Sequence, residues 1–381
     1  VERFFRHYLF SVSLLTGAII GAGIFSLPFV FKTAGIPLSL FYLLLVLGIY
    51  IILHLMYADI IVRTDGEHRF PGLAKMYLGK YVAGFGVLST VVSSVFVLTV
   101  YLVLSTSFLK LVTGAGTDFQ KLVIFWLIGS LAIFLSPKKL GLLEFFITVG
   151  MIFIIGLISV LGLGSEFPTM SFHLPSKLAF VFLPLAPIFF AVGGRSAIPS
   201  VIAQFRRRVS DNIFVRRSVI AGTTVPVIIY LFFALGVLRL SKEVSPDAVT
   251  GLVGAVSKWV LVIVGILGLI AIFSSYIIGG TNIKNILRFD LNVPTLLRSL
   301  IVVAGPIALY LTGFNQFLFL VGIVGGVFGI FEAIIIILMW RRANKMNSRP
   351  PQLLTKVSSV TMVILLLVFA ATFIYQIVNL L

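Results

Sequence analysis

The chain has 381 residues, of which 60% are hydrophobic and only 11% charged, with a mean hydropathy of +1.17. That balance excludes an ordinary soluble core and places the sequence with polytopic helical membrane proteins. The formal charge of +17 does not argue for nucleic acid, because Lys and Arg gather on one side of a membrane protein for topological reasons, and the lack of cysteine excludes disulfides, thiol nucleophiles and thiolate metal sites.

Apolar runs separated by short polar connections predict spans at 8–31, 36–62, 82–110, 120–136, 143–164, 177–205, 213–238, 257–282, 294–312, 315–340 and 356–380. The expectation is an all-α polytopic membrane protein with eleven transmembrane helices in a single domain covering 1–381. No soluble domain is expected and, because the first run lacks a small-residue cleavage site, no removable signal peptide. With a cytoplasmic amino terminus, 21 of the 29 cations fall inside. Lys32, Lys110, Lys121, Lys177, Arg239, Lys242 and Lys258 fall outside, and Arg195 lies within a span. This asymmetry predicts a multi-pass protein of the inner or plasma membrane with its carboxyl terminus outside.

The first span carries Gly17, Gly21 and Gly23 just ahead of Pro28. Each glycine weakens a helix by about 1 kcal/mol relative to alanine, and the proline lacks a backbone donor. A break at mid-depth is tolerated only where protein buries it or a cavity meets it, so it marks a site. The sixth span holds a second break, Gly193-Gly194-Arg195-Ser196-Ala197-Ile198-Pro199-Ser200. Aligning Pro199 with Pro28 pairs Gly194 with Gly23. Five spans separate the two breaks, and an odd number inverts the second unit, so 8–164 and 177–340 read as inverted repeats with 356–380 as an accessory helix.

Broken helices offer N–H groups to a carboxylate and carbonyls to a cation. Here the N–H groups lie around Gly23, Ile24 and Phe25, and the carbonyls around Ala18, Ile19 and Phe190 to Gly193, a pairing suited to a zwitterion. The candidate substrate residues are Ala18, Ile19, Gly21, Ala22, Gly23, Ile24, Phe25, Phe190, Gly193, Gly194, Arg195 and Ser196.

Arg195 would cost at least ~2.5 kcal/mol at mid-membrane unless paired or hydrated. It either meets a substrate carboxylate, gates the pathway or replaces a coupling cation, or it pairs permanently with Glu332 of the tenth span. Glu332 is the leading proton-coupling candidate, with Arg195's partner as its alternative role. His54 is a proton relay or a simple interhelical bond, and Asp59, four residues before Arg63, is a weaker candidate that reads as an i,i+4 pair. Glu144 beside Lys138 and Lys139 reads as interfacial, and Arg206, Arg207 and Arg208 as headgroup contacts. The third span contributes Ser89, Thr90, Ser93, Ser94 and Thr99; the 90, 93, 94 spacing puts three hydroxyls on one face, towards either the substrate path or a neighbouring helix, with packing the preferred role. The loop Leu240 to Val256 is a candidate outer lid.

The stretches GAGIFSLPF, from Gly21, and GRSAIPS, from Gly194, resemble the amino acid–polyamine–organocation superfamily with its LeuT-type 5+5 fold. They are most similar to the aromatic and hydroxy amino acid permeases and the related amino acid/auxin permeases. The resemblance implies a secondary active amino acid symporter driven by Na⁺ or H⁺, working by alternating access, with no enzymatic activity and no cofactor beyond the coupling ion. Its partners would be an amino acid and membrane lipids. Ala271 to Tyr276 resembles the cation-binding step of sodium-coupled members. This implies a Na⁺ site from the carbonyls of Gly17, Ile20 and Ala271 and the hydroxyls of Ser274 and Ser275, the alternative being serines that bond back within their own helix. The fifth span has no lysine of the kind that replaces sodium in proton-coupled relatives, and Arg195 stands where the aromatic permeases show histidine. A polyamine or organic-cation carrier of the same fold would want acidic groups at the breaks, and an integral-membrane lipid enzyme would need a clustered Asp, Glu or His site that this chain lacks.

Overall fold

The computed structural model of the chain describes residues 2–66, 68, 70–134, 140–164, 175, 178–205, 212–346, 350–354 and 357–378. Lys138, Lys139, Arg206, Arg207 and Arg208, and the side chain of Glu144, lie outside the described residues. The helices are α1 (Glu2–Ile19), α2 (Leu27–Ala34), α3 (Ile36–Arg63), α4 (Phe70–Leu78), α5 (Lys80–Val112), α6 (Asp118–Ala132), α7 (Leu140–Leu163) and α8 (Leu178–Phe182). They continue with α9 (Leu185–Val192), α10 (Ile198–Ala203), α11 (Asn212–Leu240), α12 (Lys258–Phe289), α13 (Thr295–Leu311), α14 (Phe317–Ile323), α15 (Gly329–Met346) and α16 (Ser359–Val378). Seven of the described helices are long and apolar enough to cross a bilayer, or eight if the bent first pair counts as one span. Val149–Gly162 and Thr295–Leu311 are shorter, so length alone does not establish the expected eleven.

Two departures from the sequence reading shape the site. A short helix, α4, fills the connection between the second and third spans, with Phe70, Leu73, Ala74 and Tyr77 buried. The tenth span is not uniform either, because a π-turn at Val324–Phe328 joins α14 to α15. Elsewhere local signals act as expected. Thr117 and Gln120 form a reciprocal capping box at the start of α6. Gly35, at φ 84°, supplies the left-handed turn between α2 and α3.

Small residues set the helix spacing, as expected where lipid provides no hydrophobic drive between helices. A Cβ on Gly162 would stand 2.8 Å from the Gly236 Cα, which locks α7 to α11. A Cβ on Gly268 would run into the Phe108 ring, which locks α12 to α5. The terminal helix packs inward rather than standing apart. Phe369 of α16 meets Phe189 of α9 at 5.2 Å between ring centroids, and the Gln376 side chain lies against Gly322 and Gly326 at the π-turn.

Candidate functional site

The two expected breaks differ in form. Helix α1 stops at Ile19, Gly21 is extended (φ −146°, ψ −155°), and a 3₁₀ turn, Ala22–Ser26, leads into α2, with the axis bent by 51°. In the sixth span the backbone leaves the helix at Gly193 (ψ 117°) and Gly194 (φ −136°), yet Phe180–Ala203 runs on as one span. The paired glycines have reciprocal roles. A Cβ on Gly23 would come within 2.5 Å of Ala191, and one on Gly194 within 2.5 Å of the Ile19 side chain, so each break is pressed against the other broken helix.

Side chains satisfy much of the freed backbone, as burial in an apolar medium requires. The Tyr230 hydroxyl of α11 lies 2.6 Å from the Ile19 carbonyl and 3.0 Å from that of Ala191. Tyr50 of α3 donates to Phe189 O at 2.8 Å. The Gly194 N–H donates to His54 Nε2 at 3.3 Å. Because Thr223 spends its own proton on Val219 O, His54 Nδ1 is the donor of the 3.0 Å bond to Thr223 Oγ1. Tyr230 takes one of the two lone pairs of the Ile19 carbonyl, and His54 fills the interhelical-bond role of its two expected ones, with both ring nitrogens engaged in holding α3, the second break and α11 together.

A cavity of about 290 Å³ opens beside the breaks. Ala18, Ile19, Gly21, Ala22, Gly23, Phe190, Gly193, Arg195 and Ser196 line it. Ile24, Phe25 and Gly194 do not: Ile24 is fully buried, Gly194 is packed on Ile19, and Phe25 sits edge-on between Phe108 and Phe233 at 5.2 and 5.8 Å. The facing wall is α5, which presents Ser89, Thr90, Ser93 and Ser94. These hydroxyls therefore belong to the cavity and not to helix packing as expected, although Thr90 and Ser94 also bond back to carbonyls in their own helix. Thr99 does pack, donating towards Pro306 O of α13. Asn282, Tyr101 and the π-turn complete the lining and were missed from sequence. The cluster Gly322, Gly325, Gly326 and Gly329 was the available signal for the π-turn.

Arg195 and Glu332 meet across this cavity, with Nε 2.7 Å from Oε1. The guanidinium also lies over the Phe70 ring, 4.1 Å from its centre. Arg195 is therefore neither alone in the membrane nor withdrawn from the site.

Asp59 forms the expected i,i+4 pair with Arg63, but does so in the interior and with further partners. Its carboxylate is fully buried and accepts from Arg63 at 3.0 Å, Trp340 at 3.1 Å, and the backbone N–H groups of Gln352 and Leu353 at 2.8 and 3.0 Å. Arg63 in turn donates to Asn344 and to the Ala343 carbonyl. With both oxygens doubly bonded, Asp59 is a clamp joining α3, α15 and the segment before α16, and it lies off the cavity lining.

A second cavity of about 40 Å³ brings together Gly17, Ile20, Ala271, Ser274 and Ser275. The Ser274 hydroxyl is buried with no hydrogen-bond partner. Ser274 thus does not bond back within its helix. Among the described residues there is no group of three or more Asp, Glu or His that could hold a metal ion.

A family model described as the tryptophan/tyrosine permease family matches residues 6–378. The chain belongs to this family. No curated protein matches it. Three solved structures share its fold at low identity. A manganese transporter from Eremococcus coleocola, in complex with an aromatic bis-isothiourea compound, is 12% identical with TM-score 0.65, over 98% of this chain and 85% of that one. Mhp1 in an inward-facing conformation is 14% identical with TM-score 0.63, over 97% and 88%. MhsT in complex with L-phenylalanine is 14% identical with TM-score 0.60, over 97% and 96%. This tryptophan/tyrosine permease family member accordingly has the LeuT-type fold and is a multi-pass transporter, not an enzyme.

Proposed function

We propose that this permease family member is a secondary transporter of an amino acid, with aromatic amino acids as the first candidates. The observation that carries the reading is the cavity at the two breaks. It offers a cation, Arg195, to a carboxylate, half-helix ends to the polar groups of a zwitterion, and a wall of hydroxyls from α5. Membership of a tryptophan/tyrosine permease family and the fold shared with a phenylalanine-bound transporter support it. The reciprocal contacts of Gly23 and Gly194 support the inverted-repeat reading of 8–164 and 177–340.

For the coupling ion, the smaller cavity supports Na⁺. The orphaned Ser274 hydroxyl and the set of neutral oxygens around it match the donors a hard monovalent cation prefers. A proton is the second reading, favoured by Glu332 on the wall of the large cavity. The bias of Lys and Arg supports a cytoplasmic amino terminus. In that orientation the cavity, which reaches from the breaks towards Phe70, Asn282 and Ile335, opens inward.

Proteoliposomes given labelled aromatic, aliphatic and hydroxy amino acids test the reading. Uptake driven by an inward sodium gradient and lost in Ser274→Ala/Ser275→Ala supports the oxygen cage. Uptake driven by protons alone transfers the coupling to Glu332. The absence of both uptake and counterflow would sink amino acid transport.

A further inference from the structure

Resting on the reading of the large cavity as a substrate site, we propose that Glu332 is a proton-binding group that shares Arg195 with the substrate's carboxylate. The guanidinium has several donors in a planar fork, and its Nε stands 2.7 Å from the Glu332 carboxylate. Its face rests on the Phe70 ring, which keeps it anchored when Glu332 leaves. Glu332 is the partner free to leave, its side chain being 33% exposed against 15% for Arg195. Arg195 and Glu332 are the only charged residues lining the cavity among those described. A carboxylate arriving there meets one cation that another carboxylate already neutralises.

Two carboxylates on one guanidinium place like charges side by side in a poorly hydrated site, and protonating one of them removes the conflict. The proton therefore comes from cavity water onto Glu332, and Arg195 passes to the ligand. Coupling of this kind is reciprocal: docking a carboxylate draws a proton onto Glu332, and the protonated form binds the carboxylate more tightly. No other group packed around Glu332 competes for the role. On α3, Tyr50 and His54 are engaged in hydrogen bonds, Tyr57 is a phenol that already holds its proton, and the Asp59–Arg63 pair is closed. Tyr101 of α5 is a phenol that already holds its proton, Tyr77 of α4 is bonded to Thr64, Lys75 of α4 is exposed, and α16 brings only Tyr375 among its described residues. The arrangement holds whether or not Na⁺ occupies the smaller cavity.

Binding of L-tryptophan, L-tyrosine and L-serine to the full chain in weakly buffered detergent, with a pH-indicating dye, tests the proposal. The wild type is expected to take up about one proton per ligand on the alkaline side of the Glu332 titration. Its affinity should be level on the acid side and fall about tenfold per pH unit beyond it. Glu332→Gln is expected to bind with the wild type's acid-side affinity at every pH and to take up no proton. The methyl esters, which lack the carboxylate, should draw no proton onto the wild type. Binding without proton uptake, equal uptake in Glu332→Gln, or weaker binding by that variant at all pH values would each overturn the proposal, the last marking the pair as a structural brace. If the variant does not fold, the comparison of acid with ester on the wild type decides alone. A wild type that binds none of these amino acids overturns the substrate reading and this inference with it, whereas binding without uptake overturns the inference alone.

Discussion

Tyr230 and Asp59 show how single residues keep this bundle intact where its helices fail. Tyr230 is fully buried and puts one hydroxyl against the carbonyls that both broken helices expose. Tyr230→Phe keeps the ring and leaves those carbonyls unpaired, at an expected cost of about 1–3 kcal/mol. Thermal unfolding in detergent checks it, and an unchanged midpoint would mean that the carbonyls find another donor. Asp59 and Glu332 are both carboxylates paired with arginine, yet their substitution should differ. Asp59→Asn leaves Arg63 buried without its counter-charge and breaks a four-donor clamp, an expected loss of about 3–5 kcal/mol. Glu332→Gln should cost less than Asp59→Asn, because Glu332 is partly exposed with a single cation as partner and glutamine keeps an acceptor for Arg195. The two unfolding curves, measured side by side, separate a brace from a group that works.

Among the elements, the π-turn between α14 and α15 is the tightest joint. Gly325 lies so close to α9 that a Cβ would collide with the Ala186 carbonyl and stand 2.7 Å from the Phe190 nitrogen. Gly325→Ala is therefore expected to cost about 1–3 kcal/mol by overpacking and to cut substrate uptake. Gly48→Ala, whose Cβ meets nothing within 4 Å, should leave both unchanged. Equal behaviour of the two variants would show that the joint yields freely. Elements of this kind were only partly legible in sequence. Spans and breaks follow from hydropathy and from Gly and Pro, which act locally, and so both breaks were found. The π-turn, the inward face of α5 and the burial of Asp59 depend on what a neighbouring helix presents, and serines at helical spacing read the same whether they face a helix or a cavity. The approach of Arg195 to Glu332 was legible because a charge inside the membrane needs a partner and few exist.

For the whole molecule, the state described is closed on one side and open on the other. Phe25, Phe108 and Phe233 seal the region beyond the first break, while Ser196 and Gly193 are exposed at the second. From the breaks the cavity extends along α5 to Gly86 and along α12 to Asn282, and it reaches Phe70 of α4; the start of α5 and the ends of α3, α12 and α15 on that side are rich in Arg and Lys. If those ends are cytoplasmic, a thiol placed at Ser93 should react with a membrane-impermeant reagent from the cytoplasmic face and not from outside. A thiol at Phe233 should resist both. The chain contains no cysteine, so each single-cysteine variant reports without background. Inside-out and right-side-out vesicles make the comparison, and substrate should shield Ser93→Cys. Labelling of Ser93→Cys from outside alone would reverse the topology, because charge bias acts on the whole chain and not on one loop. Labelling from both faces would instead mean that the permease samples outward-open states within the labelling time, with the aromatic seal parting as the cavity closes.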